Sequence, residues 1–136
     1  MLRLFSRARR SEDGAALAEF ALVLPVLMVL VVGTIEAGLL FQLKNSMTFN
    51  TRSVTRDIAL GNLSGLEGST LLQSRLQQYA NLAYQITIIE PDPDDPTSTD
   101  VVVTVTLPQQ QVESYAITGL LVVGDFSSTA TMRQIN

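Results

Sequence analysis

The sequence predicts an α+β fold in which a long N-terminal helix, transmembrane in its first half, packs on a small antiparallel β-sheet. Three observations lead to this class. A mostly apolar stretch runs from Ala15 to Phe41, a helical spacing of apolar residues continues to about Leu60, and an alternating strand pattern begins at Tyr84. The first of these organises the chain, because it divides a short basic start from a polar remainder.

The apolar stretch is long enough to cross a bilayer as a helix, since a span needs roughly 20 mostly apolar residues at about 1.5 Å rise each. Two acids interrupt it, Glu19 and Glu36, and they leave Phe20 to Ile35 without charge. Pro25 removes one backbone donor inside this span, which predicts a kink or a local loosening of the helix. We therefore expect a single-pass membrane protein in contact with lipid.

Gly33 and Ala37 stand four residues apart and form a small-xxx-small face on which another helix can approach closely. With Pro25, they are the residues of the span expected to serve helix packing. The alternative is that these small residues are merely common in membrane helices. The spacing alone leaves both interpretations open.

Charge predicts the orientation of the span. Basic residues beside a span favour the cytoplasm, so the N-terminus is expected inside and the C-terminal body outside. The four arginines before the span are opposed by three basic residues soon after it: Arg3, Arg7, Arg9 and Arg10 against Lys44, Arg52 and Arg56. A secretory signal peptide has an apolar region of about 7–15 residues and a small-residue cleavage site. This run is longer and no A-x-A follows Val32, so any cleavage is expected before the apolar run.

The helical period continues beyond the membrane and predicts an apolar stripe that packs on a domain. Its members are Leu40, Leu43, Met47, Val54 and Ile58. Three glycines between Gly61 and Ser69 are expected to end this helix. Ser69 is then expected to cap a second helix. One face of that helix would comprise Leu72, Leu76, Tyr79, Ala80 and Ala83.

Alternation predicts the sheet. Tyr84 to Ile88 and Val101 to Leu107 are expected to pair as a hairpin, and a third strand is expected from Phe126 to Arg133. The stretch from Gln109 to Val123 follows no clear pattern. The connection PDPDDPTSTD is typical of an exposed loop. The loop has carboxylates of the kind that bind calcium: Asp92, Asp94, Asp95 and Asp100. Prolines stand among them, however, and the loop lacks the glycine and the glutamate of an EF-hand. A solvated turn is therefore favoured over a calcium site.

Composition limits the possible functions. The 136 residues allow one small domain, and the chain has no histidine and no cysteine. Thiolate nucleophiles, disulfides, histidine metal ligands and the usual general base are thereby removed, so we expect no enzyme and no cofactor. The net charge is −4 overall, but from Ala15 onward five basic and eleven acidic residues leave −6. An acidic body argues against nucleic acid as a partner.

The segment GAALAEF, from Gly14 to Phe20, carries the most specific pattern in the chain. With the leader RARRSEDG before it, the pair Leu24-Pro25, the later GTIEAG and polar helix residues to about Asp57, it resembles the TadE-like minor pseudopilins of tight-adherence pili. The resemblance covers the first 55 to 60 residues; beyond them only a closing strand with Thr131-Met132-Arg133 is similar. It implies that prepilin peptidase cuts between Gly14 and Ala15, and that Glu19 and Phe20 serve recognition and assembly.

Physical chemistry gives Glu19 a separate meaning. Cleavage after Gly14 would expose an amino group on Ala15 one helical turn from Glu19. A glutamate in an apolar run is costly unless it is paired, so it marks a functional site by default. The alternative is an acid that merely lies at the headgroup level. Glu36 is open in the same way, because at the outer edge it can extend toward water.

These observations predict a cytoplasmic leader at 1–14, a transmembrane helix at 15–43 with the TadE-like segment reaching about 60, and an extracytoplasmic α+β domain at 44–136. The resemblance implies a non-enzymatic pseudopilin of the inner membrane. Its expected partners are prepilin peptidase, other pilins and pseudopilins, and the pilus assembly platform. The alternative is an unprocessed, single-span periplasmic binding or sensor module. A membrane-anchored hydrolase lacks a base.

Overall fold

The structure is a computed structural model that describes residues 11–95 and 97–134. Along the chain its elements are α1 (Ser11–Ala59), α2 (Gly65–Tyr79), β1 (Gln85–Ile89), β2 (Asp100–Leu107), α3 (Gln109–Tyr115) and β3 (Phe126–Arg133). The described residues form two compact units, which divide between Ile35 and Glu36. The predicted α+β class, with a long N-terminal apolar helix and a small antiparallel sheet, is confirmed. The leader arginines lie outside the described residues.

In the first unit, helix α1 exposes its apolar side chains on every side. All side chains from Gly14 to Val31 are exposed, and the helix continues through Pro25 without a break. Among the described residues this is the one helix long and apolar enough to cross a membrane. A helix that is apolar all round needs an apolar environment, so this part is suited to lipid and to other helices. The predicted kink at Pro25 stays a prediction.

In the second unit, the C-terminal half of α1 buries one stripe against the domain, as predicted. The expected members Leu40, Leu43, Met47, Val54 and Ile58 are all buried. The gap of seven residues between Met47 and Val54 is filled by Thr51, which is also buried and whose Oγ1 donates to the Met47 carbonyl at 2.7 Å. The threonine thus completes the stripe without leaving an unsatisfied hydroxyl.

Helix α1 ends where the glycines predicted. Gly61 adopts a positive φ of 72°, its N–H donates to the Ile58 carbonyl, and the Asn62 N–H donates to the Asp57 carbonyl, both at 2.9 Å. These two bonds form a Schellman motif, which satisfies the last carbonyls of the helix. The left-handed backbone at this position explains why a glycine stands there.

The predicted start of the second helix is wrong. Ser64, not Ser69, caps α2: Ser64 Oγ accepts from the Glu67 N–H at 3.3 Å, and the Glu67 carboxylate accepts from the Ser64 N–H at 2.9 Å. This reciprocal capping box outweighs the low helix propensity of Gly65 and Gly68. Gly68 also has a packing role, because a Cβ there would lie 2.6 Å from Ile58 Cδ1.

The predicted face of α2 is correct only in part. Leu72 and Leu76 are buried, and Ala80 is buried at the C-cap. Tyr79 is exposed, and Ala83 is exposed and lies beyond the helix. The helix ends one turn earlier than the apolar spacing indicated.

The three strands form one antiparallel sheet in the order β1-β2-β3, which confirms the hairpin and the closing strand. Ile86 pairs with Val105, and Val103 pairs with Ala130. Alternate β2 residues from Val101 to Leu107 are fully buried, while the opposite face carries threonines. One sheet face therefore completes the core with α1 and α2.

The stretch without a predicted structure, Gln109 to Val123, contains α3 and a turn-rich segment. Val112 is its buried residue in the helix, and the Gln109 N–H donates to Asp125 Oδ1 at 2.8 Å. The acidic loop after β1 is exposed and makes local bonds. The Thr97 hydroxyl donates to Asp95 Oδ1 at 2.7 Å and the Thr97 N–H donates to the same atom at 2.8 Å, and these bonds lower the pKa of Asp95. No group of three or more acidic side chains is placed to hold a metal ion in the parts of the chain that are described.

Candidate functional site

The predicted processing and assembly residues lie in the first turns of α1. Gly14 and Ala15 follow the helix start at Ser11, and both are exposed. Glu19 lies one turn after Ala15, and its side chain is exposed beside that of Phe20. Within residues 11–95 and 97–134, no hydrogen bond or salt bridge to the Glu19 carboxylate is present. The roles assigned to these four residues stay predictions.

The small residues of the span lie further along α1. Gly33 is half-buried and Ala37 is exposed. A Cβ built on Gly33 would meet no heavy atom within 4 Å, apart from its own helix. No packing around Gly33 therefore requires a glycine there, and the helix-packing role predicted for Pro25, Gly33 and Ala37 stays open for a partner outside the chain.

Glu36 forms the clearest site in the structure, and its burial contradicts the alternative that this side chain extends toward water. The side chain does not extend to water: its exposed fraction is 0%. Glu36 Oε2 accepts from the Thr118 N–H at 3.0 Å and from the Thr118 hydroxyl, and Oε1 accepts from the Leu121 N–H at 3.5 Å. Both carboxylate oxygens are therefore engaged by one short stretch of backbone.

The backbone around Thr118 is shaped to reach this carboxylate. Gly119 has a positive φ of 70°, and the Val122 N–H donates to the Gly119 carbonyl at 3.3 Å. The resulting turn points the N–H groups of Thr118 and Leu121 toward one acceptor, an arrangement that suits an anion. Charge-assisted bonds of this kind are the stronger class of hydrogen bond, so Glu36 acts as an anchor for the turn.

Sequence reasoning missed this pairing because 82 residues separate Glu36 from Thr118. Glu36 is marked in the sequence as a carboxylate beside an apolar run. An unpaired carboxylate there is costly, so it requires hydrogen-bond donors elsewhere in the fold or on a partner. Nothing in the pattern of Gln109 to Val123 identifies those donors, because backbone N–H groups are present at nearly every residue.

The fold and this arrangement define a class: a protein with one N-terminal apolar helix, suited to anchor it in a membrane as a single pass, and a small α+β domain. Residues 14–56, about a third of the chain, match the sequence profile of the family described as TadE-like protein. The match confirms the resemblance and associates the chain with the tight-adherence pilus system and with pilin-type partners. No curated protein and no solved structure matches the chain significantly.

Proposed function

We propose that the chain is a minor pseudopilin of a tight-adherence pilus system. It is made with a basic leader, cleaved after Gly14 by prepilin peptidase, and held in the inner membrane with its N-terminus in the cytoplasm and its domain outside. The observation that carries this proposal is the TadE-like match, which begins at Gly14, the residue before the proposed cleavage. The protein acts by packing its helix against pilins and the assembly platform.

The exposed first half of α1 supports a role in helix packing. In a regular helix of 3.6 residues per turn, Gly33 lies about four turns after Glu19, so the two share one side of the helix. Ala15 lies on the same side, one turn before Glu19. A partner helix on this side would meet a free amine, a carboxylate and a small residue that permits close approach.

The charge of Glu19 supports a role in setting the register of assembly. Cleavage would create an amine on Ala15, in the same chain or in a neighbouring subunit, and a carboxylate near the apolar layer gains most from a cation. At an effective dielectric constant of about 20 and 4 Å separation, two unit charges attract by roughly 4 kcal/mol before desolvation is subtracted. The net value is smaller, yet only one alignment of the helices provides it.

Processing is tested by the intact mass of the protein from cells with an active prepilin peptidase. The mature chain is expected to begin at Ala15. Gly14→Leu is expected to block cleavage, because the leucine side chain fills space that the peptidase needs. Gly38→Leu is the matched control: Gly38 lies in the same helix, a Cβ there meets nothing within 4 Å, and cleavage should be normal. A wild-type chain that still begins at Met1 contradicts the pseudopilin function.

Assembly is tested with two substitutions of Glu19. Glu19→Ala is expected to be cleaved and inserted normally but to lose crosslinks to partner pilins. Glu19→Gln keeps the shape and deletes the charge, so it should fail like Glu19→Ala if pairing matters and behave like wild type if packing alone matters. Membrane level and cleavage are measured in parallel. Normal crosslinking and piliation in both variants would leave Glu19 as an interfacial acid.

Orientation and processing together separate the proposal from an unprocessed sensor module. A reporter that works only outside the cytoplasm, fused after Asn136, should be active; activity of a strictly cytoplasmic reporter there would reverse the topology. An uncleaved protein with the same topology would favour the sensor module.

A further inference from the structure

The segment of residues 116–123, AITGLLVV, exposes several large apolar side chains close together in the sequence. It contains no charged residue. Four of its side chains are exposed: Ile117 by 54%, Leu120 by 79%, Leu121 by 47% and Val123 by 92%. Each exposed Å² of apolar surface costs about 25 cal/mol relative to burial, and clustered exposure of this kind marks a contact surface.

The conformation of the 116–123 segment is fixed by one buried side chain and by hydrogen bonds to its backbone. Val122 is buried, whereas its neighbours Leu121 and Val123 point outward. Glu36 accepts the Thr118 and Leu121 N–H groups, and the Thr118 hydroxyl also accepts from the Leu120 N–H at 3.3 Å. The exposed side chains therefore project from a turn whose backbone is fixed at both the carboxylate and the core.

Glu36 connects the segment to the residue that directly follows the uncharged run of α1. Phe20–Ile35 is a run of sixteen residues without charge, about 24 Å as a helix, and a hydrocarbon layer is about 30 Å thick. Glu36 follows this run directly. Leu40 and Leu43 are already buried in the core of the domain, so the part of α1 free to face lipid on all sides ends near Glu36. The backbone of Thr118 and Leu121 is therefore bonded to the residue at which the uncharged run ends.

We propose that the 116–123 segment is a second membrane contact, which inserts Ile117, Leu120, Leu121 and Val123 into the interfacial layer of the leaflet that Glu36 borders. Glu36 is its positioning residue. The occupant is lipid, because the segment is uncharged, apolar and tied to the residue that follows the span. This inference requires membrane anchoring by α1 and does not depend on cleavage at Gly14 or on pilus assembly.

Tryptophan fluorescence tests the contact, because the chain contains no tryptophan. Leu120→Trp places the single fluorophore in the segment. Leu66→Trp is the matched control, since Leu66 is also a leucine exposed by 79% but lies at the start of α2. Full-length protein is reconstituted alone into phosphatidylcholine vesicles, with or without lipid brominated near the glycerol end of its acyl chains.

The expected result is strong quenching and a blue-shifted emission for Leu120→Trp, with little change for Leu66→Trp. Aqueous iodide should quench the two variants in the opposite order. Adding Glu36→Ala to Leu120→Trp should reduce the bromine quenching, because the turn loses its acceptor. Val123→Trp repeats the test at a second position if Leu120→Trp does not fold, as judged by the tyrosine circular dichroism.

Equal bromine quenching of the segment variants and Leu66→Trp would overturn the proposal. A photocrosslinker at position 120 that captures another protein in native membranes, together with no bromine quenching in the vesicles, would also overturn it and assign the segment to a protein partner. Neither result bears on cleavage after Gly14, so the proposed function stands or falls separately.

Discussion

Leu43 and Phe41 offer a direct test of how the C-terminal half of α1 packs in the domain. They are two residues apart on one helix, yet Leu43 is fully buried and Phe41 is 68% exposed. Leu43→Ala removes a buried side chain and leaves a cavity, a change that costs about 2–5 kcal/mol. At about 4–8 °C per kcal/mol for a domain of this size, the unfolding midpoint should fall by about 8–40 °C.

The measurement is thermal unfolding of the full-length protein in detergent, followed by near-ultraviolet circular dichroism of tyrosine. All three tyrosines, Tyr79, Tyr84 and Tyr115, lie in the unit that begins at Glu36, so the signal reports on the domain. Phe41→Ala is the control, and as a surface change it should alter the free energy of unfolding by no more than about 0.5 kcal/mol. An equal loss of unfolding free energy in the two variants would refute the packing of α1 in the domain through the buried stripe that contains Leu43.

Two further predictions concern stability in the same assay. Ser64→Ala should cost about 1 kcal/mol, because it removes the N-cap of α2, whereas Ser69→Ala should cost less, since Ser69 Oγ only donates to the Leu66 carbonyl; the reverse order would restore Ser69 as the cap. Burial, followed by the nearby Tyr115 and Tyr79 phenols, raises the pKa of Tyr84 to about 12. The unfolded chain loses this proton first, near pH 10, so stability should fall as the pH rises from about 10 to 12. Tyr84→Phe should remove that part of the fall, and an unchanged profile would contradict it.

The sequence was sufficient for the parts of the fold that depend on periodicity. The helical spacing from Leu40 to Ile58 and the alternation from Val101 to Leu107 each place side chains on one face, whatever the partner is. The start of α2 was missed although its signal is present, because Ser64-x-x-Glu67 is a capping box in the sequence. Gly65 and Gly68 have low helix propensity, so they argued against a helix at this position. Gly68 is explained by its close approach to Ile58, a contact that no local sequence pattern contains.

The candidate site was predictable only in its local part. The TadE-like pattern from Gly14 to Phe20 is contiguous, so a resemblance can find it. The turn at Thr118 joins Glu36 through backbone N–H groups across 82 residues. Such a contact is fixed by the three-dimensional path of the chain. The sequence of the 116–123 segment has no regular period that would reveal it.

The two glutamates of the apolar run differ in what satisfies them. A carboxylate beside an apolar layer must find donors or a cation, or it forfeits the hydration that stabilises its charge. Glu36 finds three donors within its own domain, so its carboxylate is stabilised by hydrogen bonds before any partner arrives. Glu19 finds none in the described part of the chain. The unmet requirement at Glu19 is why we expect its partner to be supplied from outside the folded precursor, either as the amine that cleavage creates on Ala15 or as a group on a neighbouring helix.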